Sequence, residues 1–69
     1  MNPVEQDILR RKNEIISEIN GVFKLNMRIT DWDVPEADDA LAGKMIIDIM
    51  QEAIDRLKKK LSEGEFKDY

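Results

Sequence analysis

At 69 residues and 8.1 kDa the chain has room for one domain, 1–69, near the size where a single core is marginal and pairing between copies is a common remedy. It contains no cysteine and no histidine, which excludes disulfides, thiol redox work, a Cys/His zinc site and any imidazole acid–base step. Fifteen acidic residues against eleven basic ones leave a net charge of −4, an unfavourable balance for sequence-independent grip on nucleic acid, which depends on neutralising phosphates.

The first helix is well signalled. Asn2 is a good N-cap, Pro3 suits the first helical position, and Glu5 stands three residues after the cap, where it completes a capping box. Val4, Ile8, Ile15, Ile16, Ile19 and Val22 share one face at about 100° per residue, with Leu9 at its edge. Asp7 and Arg11 stand four apart in the favourable order. Asn20-Gly21 offers a left-handed stop, so this helix is expected to cover about 3–20. The charged residues Glu5, Asp7, Arg10, Arg11 and Lys12 leave no secretory apolar segment, and no run approaches the roughly 18 apolar residues of a membrane span. A soluble, cytoplasmic protein without membrane association is expected.

From Val22 to Thr30 the apolar spacing changes. Phe23, Leu25, Met27 and Ile29 alternate with Lys24, Asn26, Arg28 and Thr30, the period-2 pattern of a half-buried strand over about 22–30. A lone strand has no ladder partner for its backbone N–H and C=O groups, so the strand is expected to pair with that of a second copy. The alternative is an all-α helical hairpin, in which one long helix tolerates Gly21 at a cost of about 1 kcal/mol.

After Trp32, Asp33 is placed to cap a second helix over about 34–62, with Glu36 three positions on and Pro35 in its first turn. The apolar face of this helix shifts at Gly43: Val34, Ala37 and Leu41 lie on one side, and Met45 to Leu61 on another. Either a short helix ends at Gly43 and a longer one begins, or one helix bends there. From Lys44 to Leu61 the apolar surface, Ile47 included, covers more than half the circumference, wider than one neighbour requires, which also points to a second subunit. Glu52 to Arg56 and Asp55 to Lys59 support the solvent side. Lys58, Lys59 and Lys60 suit the C-terminal dipole, Gly64 supplies the stop, and 65–69 reads as a mobile tail. The fold expected is therefore α+β and mostly helical, a helix, one strand and a helix broken or bent at Gly43, assembled as a homodimer through Phe23, Leu25, Met27, Ile29, Ile47, Ile54 and Leu61.

Catalysis has little to work with. The hydroxyls are Ser17, Thr30, Ser62 and Tyr69, and no nucleophile–base pair is suggested; no enzymatic activity and no cofactor are expected. Asp31, Asp33, Glu36, Asp38 and Asp39 form an acidic block, but the central Gly and the twelfth-position Glu of a calcium loop are missing, so no metal is expected either. Trp32 sits within that block, either as a binding anchor or as a cover for the end of the core. The function favoured is a small non-enzymatic homodimeric interaction module, of regulatory, adaptor or inhibitor type, that presents Asp31, Trp32, Asp33, Glu36 and Asp39 to a protein partner.

A second reading uses Lys24, Asn26 and Arg28, which would project from one face of a two-stranded antiparallel ribbon, a shape that fits the DNA major groove. The segment Lys24-Leu25-Asn26-Met27-Arg28-Ile29, followed by a short helix, Gly43 and a helix holding Asp48 to Ile54, loosely resembles the ribbon-helix-helix repressors and antitoxins over residues 23 to 61. The resemblance implies a DNA-binding regulator. The chain departs from that family in its cramped short helix, in Met45 and Ile47 at positions where the family has polar residues, and in the helix preceding the strand. A third reading is a structural or chaperone subunit of a larger assembly.

Overall fold

The computed structural model describes residues 2–36 and 38–66, which fold as three helices: α1 (Pro3–Arg10), α2 (Lys12–Asp33) and α3 (Asp39–Ser62). The first helix begins where the cap signals place it. The Glu5 amide donates to Asn2 Oδ1 at 2.8 Å, which meets one of the free backbone donors at the helix start, and Asn2 Nδ2 donates back to Glu5 Oε1 at 3.4 Å, tying the two side chains together. Asp7 draws in both Arg10 at 2.8 Å and Arg11 at 3.2 Å.

α1 and α2 are nearly one rod. The Arg11 amide is shared between the carbonyls of Asp7 (3.2 Å) and Ile8 (3.1 Å), and the Ile15 amide already donates to Arg11 O at 3.0 Å. The helix is thus bent at a single residue without losing its ladder.

No strand occurs among the described residues, and the segment expected to be one is the C-terminal half of α2. The physical reason lies in two interleaved pairs. Phe23 and Met27, four residues apart, face α3 and are half-buried, whereas Leu25 and Ile29, also four apart, lie on another side and are exposed. A helix with apolar residues on two sides mimics alternation over seven residues. Gly21 does not end the helix; the only positive φ among the described residues belongs to Gly64. The first helix therefore runs well past residue 20, and the all-α hairpin is the architecture the chain adopts.

The turn between α2 and α3 is also displaced from expectation. α2 continues through Asp33 and closes with the Val34 amide on Thr30 O at 2.8 Å; the cap of α3 is Asp38, whose Oδ1 accepts from the amides of Ala40 (3.0 Å) and Leu41 (3.2 Å). Asp33 is thus not the cap, and the second helix starts five residues later than 34. Ala37, placed on the early apolar face by the sequence, lies outside the described residues.

Gly43 neither breaks nor ends α3. It faces α2: a Cβ built there would meet Phe23 Cζ at 3.7 Å and Met27 Sδ at 3.9 Å. Those are ordinary van der Waals separations, so Gly43→Ala fits the seam and removes the backbone entropy of a mid-helix glycine. The variant is expected to gain about 0.5–1 kcal/mol, measurable as a higher urea midpoint at unchanged slope.

The far end of α3 closes as its sequence indicates. The Glu65 amide reaches back to Lys60 O at 3.0 Å across Gly64, whose φ is +77°, the geometry that lets a glycine end a helix. Of the tail expected at 65–69, Glu65 and Phe66 continue this turn, and residues 67–69, with the Tyr69 hydroxyl, lie outside the described residues.

What the hairpin lacks is an interior. No described residue is buried. Half-buried positions on α3 are Ala42, Gly43, Ile46 and Met50, and from residue 51 to the end of the helix every side chain is exposed. The radius of gyration is 15.9 Å, against about 11 Å for a compact domain of this length.

Candidate interaction surface

Two surfaces emerge from this architecture, an acidic turn at the closed end and apolar seams along the rods. At the closed end, Asp31, Trp32 and Asp33 form the last turn of α2, Glu36 lies in the connection, and Asp38 and Asp39 open α3. Capping and the helix dipole account for Asp38 and Asp39. They do not account for Asp31 and Asp33: negative charge beside the carbonyl end of a helix is unfavourable, and the last turn of α2 carries no basic residue.

Three of the carboxylates, Asp31, Asp38 and Asp39, are also drawn together. Asp31 and Asp39 share a side-chain hydrogen bond across the turn, and this bond, followed by the charge of Asp31, slight desolvation and the charge of Asp38, holds Asp39 above its ordinary value of 3.8. Because the folded state keeps this proton more tightly than the unfolded chain, stability attached to it is present below 3.8 and is lost as pH rises through the raised value. Asp31→Asn removes the repulsion that follows. Its melting temperature, compared with that of the parent chain, is expected to pull ahead as pH rises through this window. A constant difference between the two would refute the coupling.

Trp32 covers no core of its own chain. It is 76% exposed. Beside the turn, Thr30 and Val34 of one arm and Leu41, Ala42 and Met45 of the other border an open apolar groove with Asp38 at its rim.

The residues expected to form a DNA-reading ribbon are arranged differently. Lys24 and Arg28 are exposed one turn apart on α2, while Asn26 is half-buried and donates from Nδ2 to Val22 O at 2.8 Å. A ribbon face shared by the three is therefore not formed. The residues expected at the dimer contact divide in two: Phe23 and Met27 pack inward toward Gly43, whereas Leu25, Ile29, Ile47, Ile54 and Leu61 face solvent.

The seams have a regular spacing. Ile8, Ile15, Val22 and Ile29 recur every seventh residue along α1 and α2, and Ile47, Ile54 and Leu61 do so along α3. Seven-residue recurrence keeps a stripe of side chains facing a neighbouring helix over several turns. The solvent side is laced by local pairs instead: Lys44 to Asp48 at 2.8 Å, Arg56 to Glu52 at 2.6 Å, and Gln51 Nε2 donating to Asp55 Oδ1 at 3.0 Å.

Among the described residues no group of three or more His, Cys, Asp or Glu side chains is placed to hold a metal ion, and no helix is long and apolar enough to cross a membrane. The chain matches no protein-family model, no curated protein and no solved structure.

Proposed function

We propose that this chain is a small, non-enzymatic interaction module of regulatory, adaptor or inhibitor type, whose helical hairpin is completed by a second copy and whose acidic, Trp32-bearing turn docks on protein. The observation that carries this reading is the amount of surface the hairpin leaves exposed, large apolar side chains included. A compact monomer of 8.1 kDa exposes about 4,500 Å², whereas this hairpin exposes 6338 Å², an excess of about 1,800 Å². A standard protein–protein interface takes about 800 Å² from each partner, and obligate homodimers take more. The excess is therefore of the size that an obligate contact removes.

The acidic turn supports the docking role by its cost. Asp31 and Asp33 stand against the dipole of their own helix, next to an indole that shields nothing in the chain. An exposed aromatic ringed by charge has the composition of an interface anchor.

Equilibrium sedimentation with circular dichroism over a dilution series tests the proposal. The expected result is a species of twice 8.1 kDa whose helicity falls on dilution as it dissociates. A monomer that keeps full helicity at every concentration would refute it.

A further inference from the structure

We infer that the second copy lies antiparallel to the first, its acidic turn seated against the open, basic end of the hairpin, so that the apolar seams of two copies close one four-helix bundle. The inference rests on the proposed dimer and adds its orientation.

The acidic residues Asp31, Asp33, Glu36, Asp38 and Asp39 crowd the closed end without an intervening lysine or arginine. The basic triplets Arg10 to Lys12 and Lys58 to Lys60 both lie about 30 Å away, since some twenty helical residues at 1.5 Å each separate them from the turn on either arm. Both triplets therefore sit at one level, toward the open end. Arg10 and Arg11 share the single carboxylate of Asp7, and among the described residues Lys12, Lys58, Lys59 and Lys60 enter no ion pair. The closed end thus holds five carboxylates and no base, whereas toward the open end Glu5, Asp7, Glu14, Asp55, Glu63 and Glu65 offset all but one of Arg10, Arg11, Lys12, Arg56, Lys58, Lys59 and Lys60.

A parallel pair would bring ten carboxylates to one end, where Asp39 of a single chain already lies close enough to Asp31 and Asp38 to feel their charge. At physiological salt the screening length is about 8 Å, so distant charges matter little and abutting ones decide. An antiparallel pair places each acidic turn beside the other copy's uncommitted lysines. The same arrangement satisfies the seams. Two α3 helices laid antiparallel with full overlap bring Ile47 level with the partner's Ile54, and Asp39 within a helical turn of the partner's Lys60. The exposed arm beyond Met50, which its own α2 leaves uncovered, then meets the turn-proximal half of the other hairpin.

Trp32 is the only tryptophan and the chain has no cysteine, which permits a background-free energy-transfer experiment. The donor is the parent chain. One acceptor is a Trp32→Phe/Ser62→Cys variant carrying dansyl at the open end; the other is a Trp32→Phe/Asp33→Cys variant carrying dansyl at the turn. Mixed samples are followed by Trp32 emission and weighed by sedimentation equilibrium. Antiparallel pairing predicts a clear loss of Trp32 emission with the Ser62 label and a much smaller one with the Asp33 label. Quenching that is equal, reversed or absent in a species of dimer mass overturns the orientation and leaves the dimer standing. A monomer mass overturns the proposed function itself, and the orientation with it.

Discussion

Replacing Ile47 and Ile54 together by lysine is expected to abolish self-association. Burying an isoleucine fully is worth about 1.5–3 kcal/mol. In the isolated hairpin Ile47 is 54% exposed and Ile54 37%, so cover from a second copy contributes about 1 kcal/mol at each. Twofold symmetry doubles both positions, which brings the loss to about 4 kcal/mol, near a thousandfold in Kd. The variant should sediment at 8.1 kDa and lose helicity at concentrations where the parent chain keeps it. Lysine at two solvent-facing positions of a self-sufficient hairpin would cost almost nothing, so an unchanged mass and spectrum would remove the apolar seam as an interface.

Leu25→Pro should be nearly as severe for a different reason. Proline inside a helix removes the amide that donates one turn back, and its ring strikes the carbonyl there, at about 3 kcal/mol or more. Leu25 is 55% exposed, so little of the effect comes from its side chain, and Leu25→Ala provides the control that isolates the backbone. Loss of ellipticity in the proline variant alone is the expected result. If both variants kept full helicity, α2 would not be continuous through residue 25.

The start of α1 and the end of α3 were legible in the sequence because their end signals are local. Asn2 and Glu5 meet their donors within one turn, and Gly64 closes α3 by a bond that spans six residues. The same holds for Asp7 with Arg11 and Glu52 with Arg56. Residues 22–30 were misread because alternation over a short window does not separate a strand from a helix with two apolar sides, and the deciding contact, Gly43 against Phe23 and Met27, is remote in sequence. At Gly43 the sequence leaves a break and a single helix open, and α3 runs unbroken through it from Asp39 to Ser62. The acidic turn was legible as a cluster, but its cap was assigned to Asp33 although Asp38 fits the same rule and is the residue that forms it. Two candidate caps five residues apart obey one local preference, and the end of α2 selects between them.

A hairpin in which no described residue is fully buried puts little between its helical amides and water. Hydrogen–deuterium exchange in a solitary copy should therefore run near the rates of a fraying peptide helix. In the proposed dimer, protection factors measured on this chain would report how often two molecules are joined, and a simple titration of protein against deuterium uptake would become an affinity measurement.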